Sequence, residues 1–203
     1  MPYVNAWKKI AVILAIAALA GCSLIRHKSS REEAQTSSQA AAATGDDYRH
    51  ALSALKAGKD EDALNRFEAL SKSYPDFAAS YINVGLIEIK RDNLHTAESA
   101  LLHAAQLAPQ QPEIYNGLGI IYRRTGRFNE AETAYLKALQ LAPNYANAHL
   151  NIGILYDIYL NNLSAALDHY QLYQAISGGN NTVVDKWIID VKHRLAKTMG
   201  ASK

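Results

Sequence analysis

PEIYNGLGIIYRRTGRFNEAETAYLKALQLAPNY, Pro112–Tyr145, decides the fold. In its first half Tyr115, Leu118, Gly119 and Tyr122 recur at the steps that place side chains on one helical face. Gly126 and Phe128 flank a break. Ala131, Tyr135 and Ala138 then mark a second helix, which Pro143 closes. Proline has no amide hydrogen and cannot continue a helix, so it separates one unit from the next. The stretch therefore reads as helix, turn, helix.

The same unit recurs outward in both directions. Prolines 75, 109 and 143 stand 34 residues apart, as do alanines 63, 97 and 131 and glycines 85, 119 and 153. A 34-residue helix–turn–helix period resembles the tetratricopeptide repeat. The fold class this implies is all-α, an α-solenoid of four repeats at about 44–77, 78–111, 112–145 and 146–180, followed by a capping helix over 182–198. The second repeat keeps Tyr81, Val84, Gly85, Leu94, Leu101 and Ala104, with Asp92 in place of the turn glycine. The first keeps Ala51, Gly58, Phe67 and Leu70, with Asp47 where an early aromatic is usual. The fourth keeps Ile152, Tyr156, Ala166, Tyr170 and Tyr173, needs one extra residue near Tyr159–Asn162, and ends at Gly178-Gly179. Glycine and alanine at the repeated small positions let the two helices of a repeat approach closely, and aromatics fill the space between repeats.

Past the fourth repeat, Thr182-Val-Val-Asp185 reads as a capping box, with Thr182 and Asp185 satisfying free first-turn amides. Val184, Trp187, Ile188, Val191 and Leu195 come next at helical spacing, a stripe suited to covering the end of a solenoid.

The N-terminus has a different character. Lys8 and Lys9 precede IAVILAIAALA (Ile10–Ala20), an apolar run of about 11 residues, against the roughly 20 that span a bilayer. A basic start, a short apolar run and small boundary residues describe a secretory signal. Leu19-Ala20-Gly21-Cys22 resembles the lipobox of bacterial lipoproteins. The resemblance implies cleavage before Cys22, with 1–21 as signal peptide, and acylation of Cys22, which would anchor the chain in a lipid bilayer. Ser23, rather than Asp, at the next position implies the outer membrane, facing the periplasm. Residues 22–46, including SSREEAQTSSQAAAATGD (Ser29–Asp46), lack aromatics and apolar periodicity and read as a flexible tether. Arg26, His27, Lys28 and Arg31 lie near the lipid, either touching anionic headgroups or simply solvated. The alanines 40–43 either belong to the tether or extend the first helix. The repeat domain is set at 47–198.

Composition narrows the partners. Lys plus Arg is 21 and Asp plus Glu 19, and loss of Lys8 and Lys9 with the signal leaves the charges balanced. That argues against nucleic acid, whose phosphates need a basic face. Cys22 is the only cysteine, too few for an internal disulfide or a cysteine zinc site.

Catalysis finds no support. Ser53-Ala-Leu-Lys56 matches the Ser-x-x-Lys pattern of penicillin-binding enzymes, without a partner motif. His95, Glu98 and His103 fall near one another on one helix but read as solvated surface, and no cofactor or metal is expected. Two sequons, at Asn162 and Asn180, carry little meaning in a bacterial envelope protein.

In proteins that resemble this one, the first helices of the repeats line a concave binding surface. The corresponding positions are Tyr48, Leu52, Leu55 and Lys56 in repeat one and Ile82, Leu86, Ile89 and Lys90 in repeat two. They are Asn116, Ile120, Arg123 and Arg124 in repeat three and Leu150, Ile154 and Asp157 in repeat four. Leu52, Leu86, Ile120 and Ile154 form an apolar column flanked by bases, suited to an amphipathic helix or an extended apolar segment with acidic groups. The alternative is that these residues only pack against adjacent helices. The expected function is a membrane-anchored periplasmic scaffold that binds envelope proteins and is not an enzyme. A pilotin-like lipoprotein for secretins, a peptidoglycan-hydrolase adaptor and an accessory of TonB/ExbB-type transport are the other readings.

Overall fold

The computed structural model describes residues 44–179 and 181–200. The segment read as a signal, Cys22 and the stretch read as a tether, up to residue 43, lie outside the described residues. All regular structure among the described residues is helical: α1 (44–56), α2 (Asp60–Ser73), α3 (Ala78–Lys90), α4 (Leu94–Leu107), α5 (Pro112–Arg124), α6 (Phe128–Leu141), α7 (Ala146–Ile154), a π-helical turn (Leu155–Tyr159), α8 (Leu163–Ser177) and α9 (Thr182–Gly200). None is long and apolar enough to cross a membrane. The chain divides into two units, 1–49 and 50–203. Of the first, residues 44–49 are described; they are helical, with Arg49 paired to Asp46 on the exposed surface. The second unit holds the stacked hairpins.

The helices pair as α3/α4, α5/α6 and α7/α8, the hairpins the 34-residue period predicts. Each hairpin turns on a residue in the left-handed region: Gly58 (φ 70°), Asp92 (67°), Gly126 (78°) and Asn161 (51°). The amide of the following residue then closes the turn on a carbonyl inside the first helix. Asn93 N reaches Glu88 O at 2.9 Å, Arg127 N reaches Tyr122 O at 2.8 Å, and Asn162 N reaches Tyr156 O at 2.8 Å.

The last of these bonds, in the fourth repeat, spans one residue more than the others. The extra residue is absorbed in the π-helical turn, where Leu160 N bonds Leu155 O at 3.1 Å, a five-residue step. It sits just ahead of Leu160–Asn162, whose turn geometry is preserved. Single inserted residues commonly form such π turns.

Within each hairpin, a glycine of the first helix faces a large side chain of the second. A Cβ at Gly85 would stand 2.6 Å from Leu101 Cγ, and one at Gly153 would stand 2.8 Å from Tyr170 Cδ1. At Gly119 it would overlap the ring of Tyr135. Leu101, Tyr135 and Tyr170 are fully or almost fully buried. Full burial of a leucine-sized side chain contributes about 1.5–3 kcal/mol, so each missing Cβ admits a substantial hydrophobic contribution. Gly117, which the repeat pattern does not single out, does the same between repeats: a Cβ there would lie 2.7 Å from Leu101 Cδ1.

The first helices also touch one another along the stack, α3 with α5 and α5 with α7, whereas α4 and α6 make no comparable contact. Closer spacing on one side curves a stack toward that side. The first helices therefore line its inner face. Polar side chains cross every boundary. Lys90 pairs with Asp60, and Arg91 with Glu61 at 2.9 Å. Arg124 meets Asp92 at 2.5 Å and Arg127 meets Glu98 at 2.7 Å. Tyr156 Oη donates to Glu132 at 2.7 Å, and Arg194 pairs with Asp157.

Helix α9 closes the array by burying Val184 and Val191, with Ile188 and Leu195 packed alongside. Its cap is Asn181, not Thr182. Asn181 Oδ1 accepts from the amides of Val183 (3.2 Å) and Val184 (3.3 Å), while Thr182 is already the first helical residue. Asp185 turns back to accept from Gln174 Nε2 at 2.5 Å, tying α9 to α8.

Candidate functional site

The inner face is built from the first helices. On α3, Ile82 is half-buried, while Leu86, 37% exposed, is the most open apolar side chain of the predicted set. Leu86 reaches toward Gly117, where its Cδ2 would lie 3.6 Å from an added Cβ, so the bare α5 backbone forms the adjacent floor. Ile120 is half-buried and packs against two buried clusters, one around Leu101 and Leu118 and a more C-terminal one around Tyr135 and Tyr170. Leu150 and Ile154 are half-buried against the C-terminal cluster. Leu52 and Leu55 are half-buried on α1, and Tyr48 is half-buried in its opening turns. Ile89, by contrast, is buried in the core between repeats two and three.

The polar members hold the face together. Asn116 is buried, and its Oδ1 accepts from Asn151 Nδ2 at 3.0 Å, joining α5 to α7. Lys90 is engaged by Asp60. Arg124 donates through Nη1 to the Ile89 carbonyl at 2.8 Å and through Nη2 to Asp92. Arg123 donates through Nε to Tyr135 Oη at 3.4 Å. Burial pushes the Tyr135 phenol up, with Arg123 partly opposing it. Of the four flanking bases, Lys90 and Arg124 therefore spend their charge on repeat boundaries. Arg123 and exposed Lys56 are the two for which no carboxylate partner is seen among the described residues.

At the fourth repeat, Asp157 has a side chain only 11% exposed. It accepts from Tyr170 Oη at 3.2 Å and pairs with Arg194 of α9. Burial, then the charge of Asp157, push the Tyr170 phenol up. Sequence spacing puts Asp157 on the inner face but gives no sign of Arg194, 37 residues on. The Asn116–Asn151 bond is equally hidden in the sequence, although asparagines at 83, 116 and 151 are the available signal.

The residues weighed for chemistry are spent otherwise. Glu98 holds Arg127, and the His103 ring lies 4.3 Å from that of Tyr81. No group of three His, Cys, Asp or Glu among the described residues is placed to hold a metal.

Paired helices in register, stacked on a shared inner face, define a helical-repeat solenoid. A family model described as tetratricopeptide repeat matches residues 76–144 and 110–177, together half of the chain. The chain belongs to the tetratricopeptide repeat family. Solved structures with this fold include a thermophilic repeat protein of Thermus thermophilus, at TM-score 0.63 and 17% identity, over 75% of this chain and 82% of that one. MamA of Desulfovibrio magneticus RS-1 is similar at TM-score 0.58 and 19% identity, over 68% and 78%. A mutant O-GlcNAc transferase of Thermobaculum terrenum is similar at TM-score 0.62 and 21% identity, over 66% of this chain but 26% of that one. These likenesses establish the fold alone. No curated protein matches the sequence. The repeat fold makes the chain a protein–protein interaction scaffold, and nothing in the comparisons points to catalysis by it.

Proposed function

We propose that this chain is a lipid-anchored scaffold of the bacterial envelope. Its repeats take one amphipathic helix or extended segment of a partner protein along the inner face. The observation that carries the reading is Leu86, exposed on the inner face between half-buried Ile82 and Ile120 and over the bare backbone of Gly117. An apolar side chain of the partner would sit there, and acidic groups beside it would meet Arg123 and Lys56. Acylation of Cys22 would hold the scaffold on the outer membrane, facing the periplasm. Several acyl chains hold far better than one, because each buried CH₂ contributes about 0.8 kcal/mol.

A photo-crosslinking amino acid at Leu86, compared with one at Leu136 on the second helix of repeat three, tests the binding face in intact envelopes. One envelope protein crosslinked from Leu86 and not from Leu136, and lost in the folded Ile120→Glu variant, supports the reading. Equal yields from both sites overturn it. Radiolabelled palmitate tests the anchor independently. Label in the wild type and none in Cys22→Ser is expected, and label retained by the variant would refute acylation at this residue.

A further inference from the structure

Three repeats carry rings on the flank of the first helix that looks toward the second. In the fourth repeat these are His149 and Tyr156, and His169 of α8 lies against both, with ring centroids 5.2 Å and 5.7 Å away. In the second repeat Tyr81 receives His103 of α4. The third repeat keeps both rings of the fourth, as Tyr115 and Tyr122, one repeat step earlier. The residue in the place of His169 is Ala134, and the residue in the place of His103 is Lys137. A methyl group where the fourth repeat has an imidazole leaves an open cleft of about 480 Å³ between α5 and α6, lined by Tyr115, Leu118, Tyr122, Glu130, Ala134 and Lys137. By helical spacing it lies on the opposite flank of α5 from Asn116, Ile120 and Arg123.

We propose that this cleft docks one aromatic side chain of a partner protein, carried next to an acidic residue. The array itself shows the fit: in the repeats on either side a ring from the second helix lies against the residue in the place of Tyr115, His103 against Tyr81 and His169 against His149. Aromatic pairs at such separations gain beyond the apolar area they bury. Charge sets the orientation. Arg127 lies 4.2 Å from the Tyr122 centroid, but both oxygens of Glu98 hold it, and Glu130 stands at that end. Lys137 lies 6.0 Å from the Tyr115 centroid at the other end. Its polar neighbour is neutral Gln140, at 3.4 Å, and it makes no ion pair among the described residues. A carboxylate beside the docked ring therefore points to Lys137. The site is independent of the inner face, and either can fail without the other.

An NMR titration of the ¹⁵N-labelled full-length chain with acetyl-Gly-Ser-Phe-Glu-Ser-Gly-amide tests this. Saturable shifts at the amides of Leu118, Tyr122 and Ala134 are expected. Leucine in place of the peptide's phenylalanine should weaken binding roughly two- to tenfold. Glutamine in place of its glutamate should weaken it roughly two- to fivefold. Ala134→His fills the place as His169 does and should abolish the shifts. Lys137→Glu, at the rim, should reverse the preference toward a peptide with lysine after phenylalanine. Absent shifts, equal binding of the leucine peptide, or undiminished binding to an Ala134→His variant that melts like wild type would each overturn the proposal. So would N-acetylphenylalanine binding more tightly than the peptide, which would mark a small-molecule site.

Discussion

Across the boundary between the second and third repeats, the Arg127 guanidinium grips both oxygens of the Glu98 carboxylate, Nη1 to Oε1 at 2.9 Å and Nη2 to Oε2 at 2.7 Å. The same guanidinium covers the face of Tyr122. Donating to the Glu98 carboxylate holds the Arg127 pKa above its ordinary value. Both side chains are only partly exposed, so solvent screens the pair less than an open surface pair. Arg127→Met should destabilise the chain by roughly 1 kcal/mol. A double-mutant cycle with Glu98→Gln in urea should recover a favourable coupling. Strictly additive losses would show that the bidentate geometry contributes nothing.

Close approach of α5 and α6 depends on Gly119. Alanine is the better helix former by about 1 kcal/mol, yet here its methyl would enter the Tyr135 ring, and overpacking of that kind costs roughly 1–3 kcal/mol. Gly119→Ala should therefore lower the urea midpoint, and adding Tyr135→Leu should cost less than the two single changes summed. At Asn161 the opposite holds. Its φ of 51° suits glycine, so Asn161→Gly should leave stability unchanged or raise it by a few tenths of a kcal/mol.

Removing the extra residue of the fourth repeat should be tolerated. Ile158 is 65% exposed within the π-helical turn. Its deletion turns the Leu160-to-Leu155 bond into an ordinary four-residue step and restores the 34-residue spacing. The deleted chain should keep its helical circular dichroism and cooperative melting. Deletion of Ile152, fully buried in α7 ahead of the π turn, should unfold the fourth repeat.

Acid should loosen the fourth repeat before the others. His149 Nε2 faces the Pro143 carbonyl at 2.9 Å and so carries a hydrogen, which leaves its Nδ1 to accept from His169 Nδ1, also at 2.9 Å. Burial, then the neighbouring His149, hold the His169 imidazole below its ordinary 6.5, against the opposing pull of Asp168. A base whose folded pKa is lowered binds fewer protons folded than unfolded. Its stability contribution is complete above 6.5 and is lost as pH falls through that value toward the folded one. The urea midpoint should drop on acidification below about pH 6.5, and His169→Gln should flatten the dependence. An unchanged slope in the variant would place the titration elsewhere.

Much of this architecture is legible in the chain because its period is written in residues with one physical meaning. Proline ends helices, and glycine marks either a left-handed turn or a close approach, so Pro75, Pro109, Pro143, Gly85, Gly119 and Gly153 align the repeats without coordinates. The repeat spacing locates the extra residue to within a few positions, but nothing local says that a π turn rather than a longer loop absorbs it. Thr182 and Asn181 are both good caps, and choosing between them requires knowing where the backbone leaves the helix. The inner face is legible by spacing as a set of positions, not as chemistry. Whether Lys90, Arg124 and Asp157 face a partner or a neighbouring repeat depends on residues 30 to 37 positions away, and pairing at that range has no local signature.

Apart from the Gln174–Asp185 bond at the cap, the side-chain bonds described above across the boundaries run one way. Lys90, Arg91, Arg124, Arg127, Tyr156 and Arg194 belong to the later element, and Asp60, Glu61, Asp92, Glu98, Glu132 and Asp157 to the earlier one. Each repeat thus has a donor edge and an acceptor edge, and the array is polar in the sense that a filament is polar. Copying the third repeat in tandem would set a donor edge on an acceptor edge at the new seam, so the protein can be lengthened head to tail. Exchanging the order within a seam would bring like edge to like. Growth by duplication is open to such a chain, and growth by inversion is not.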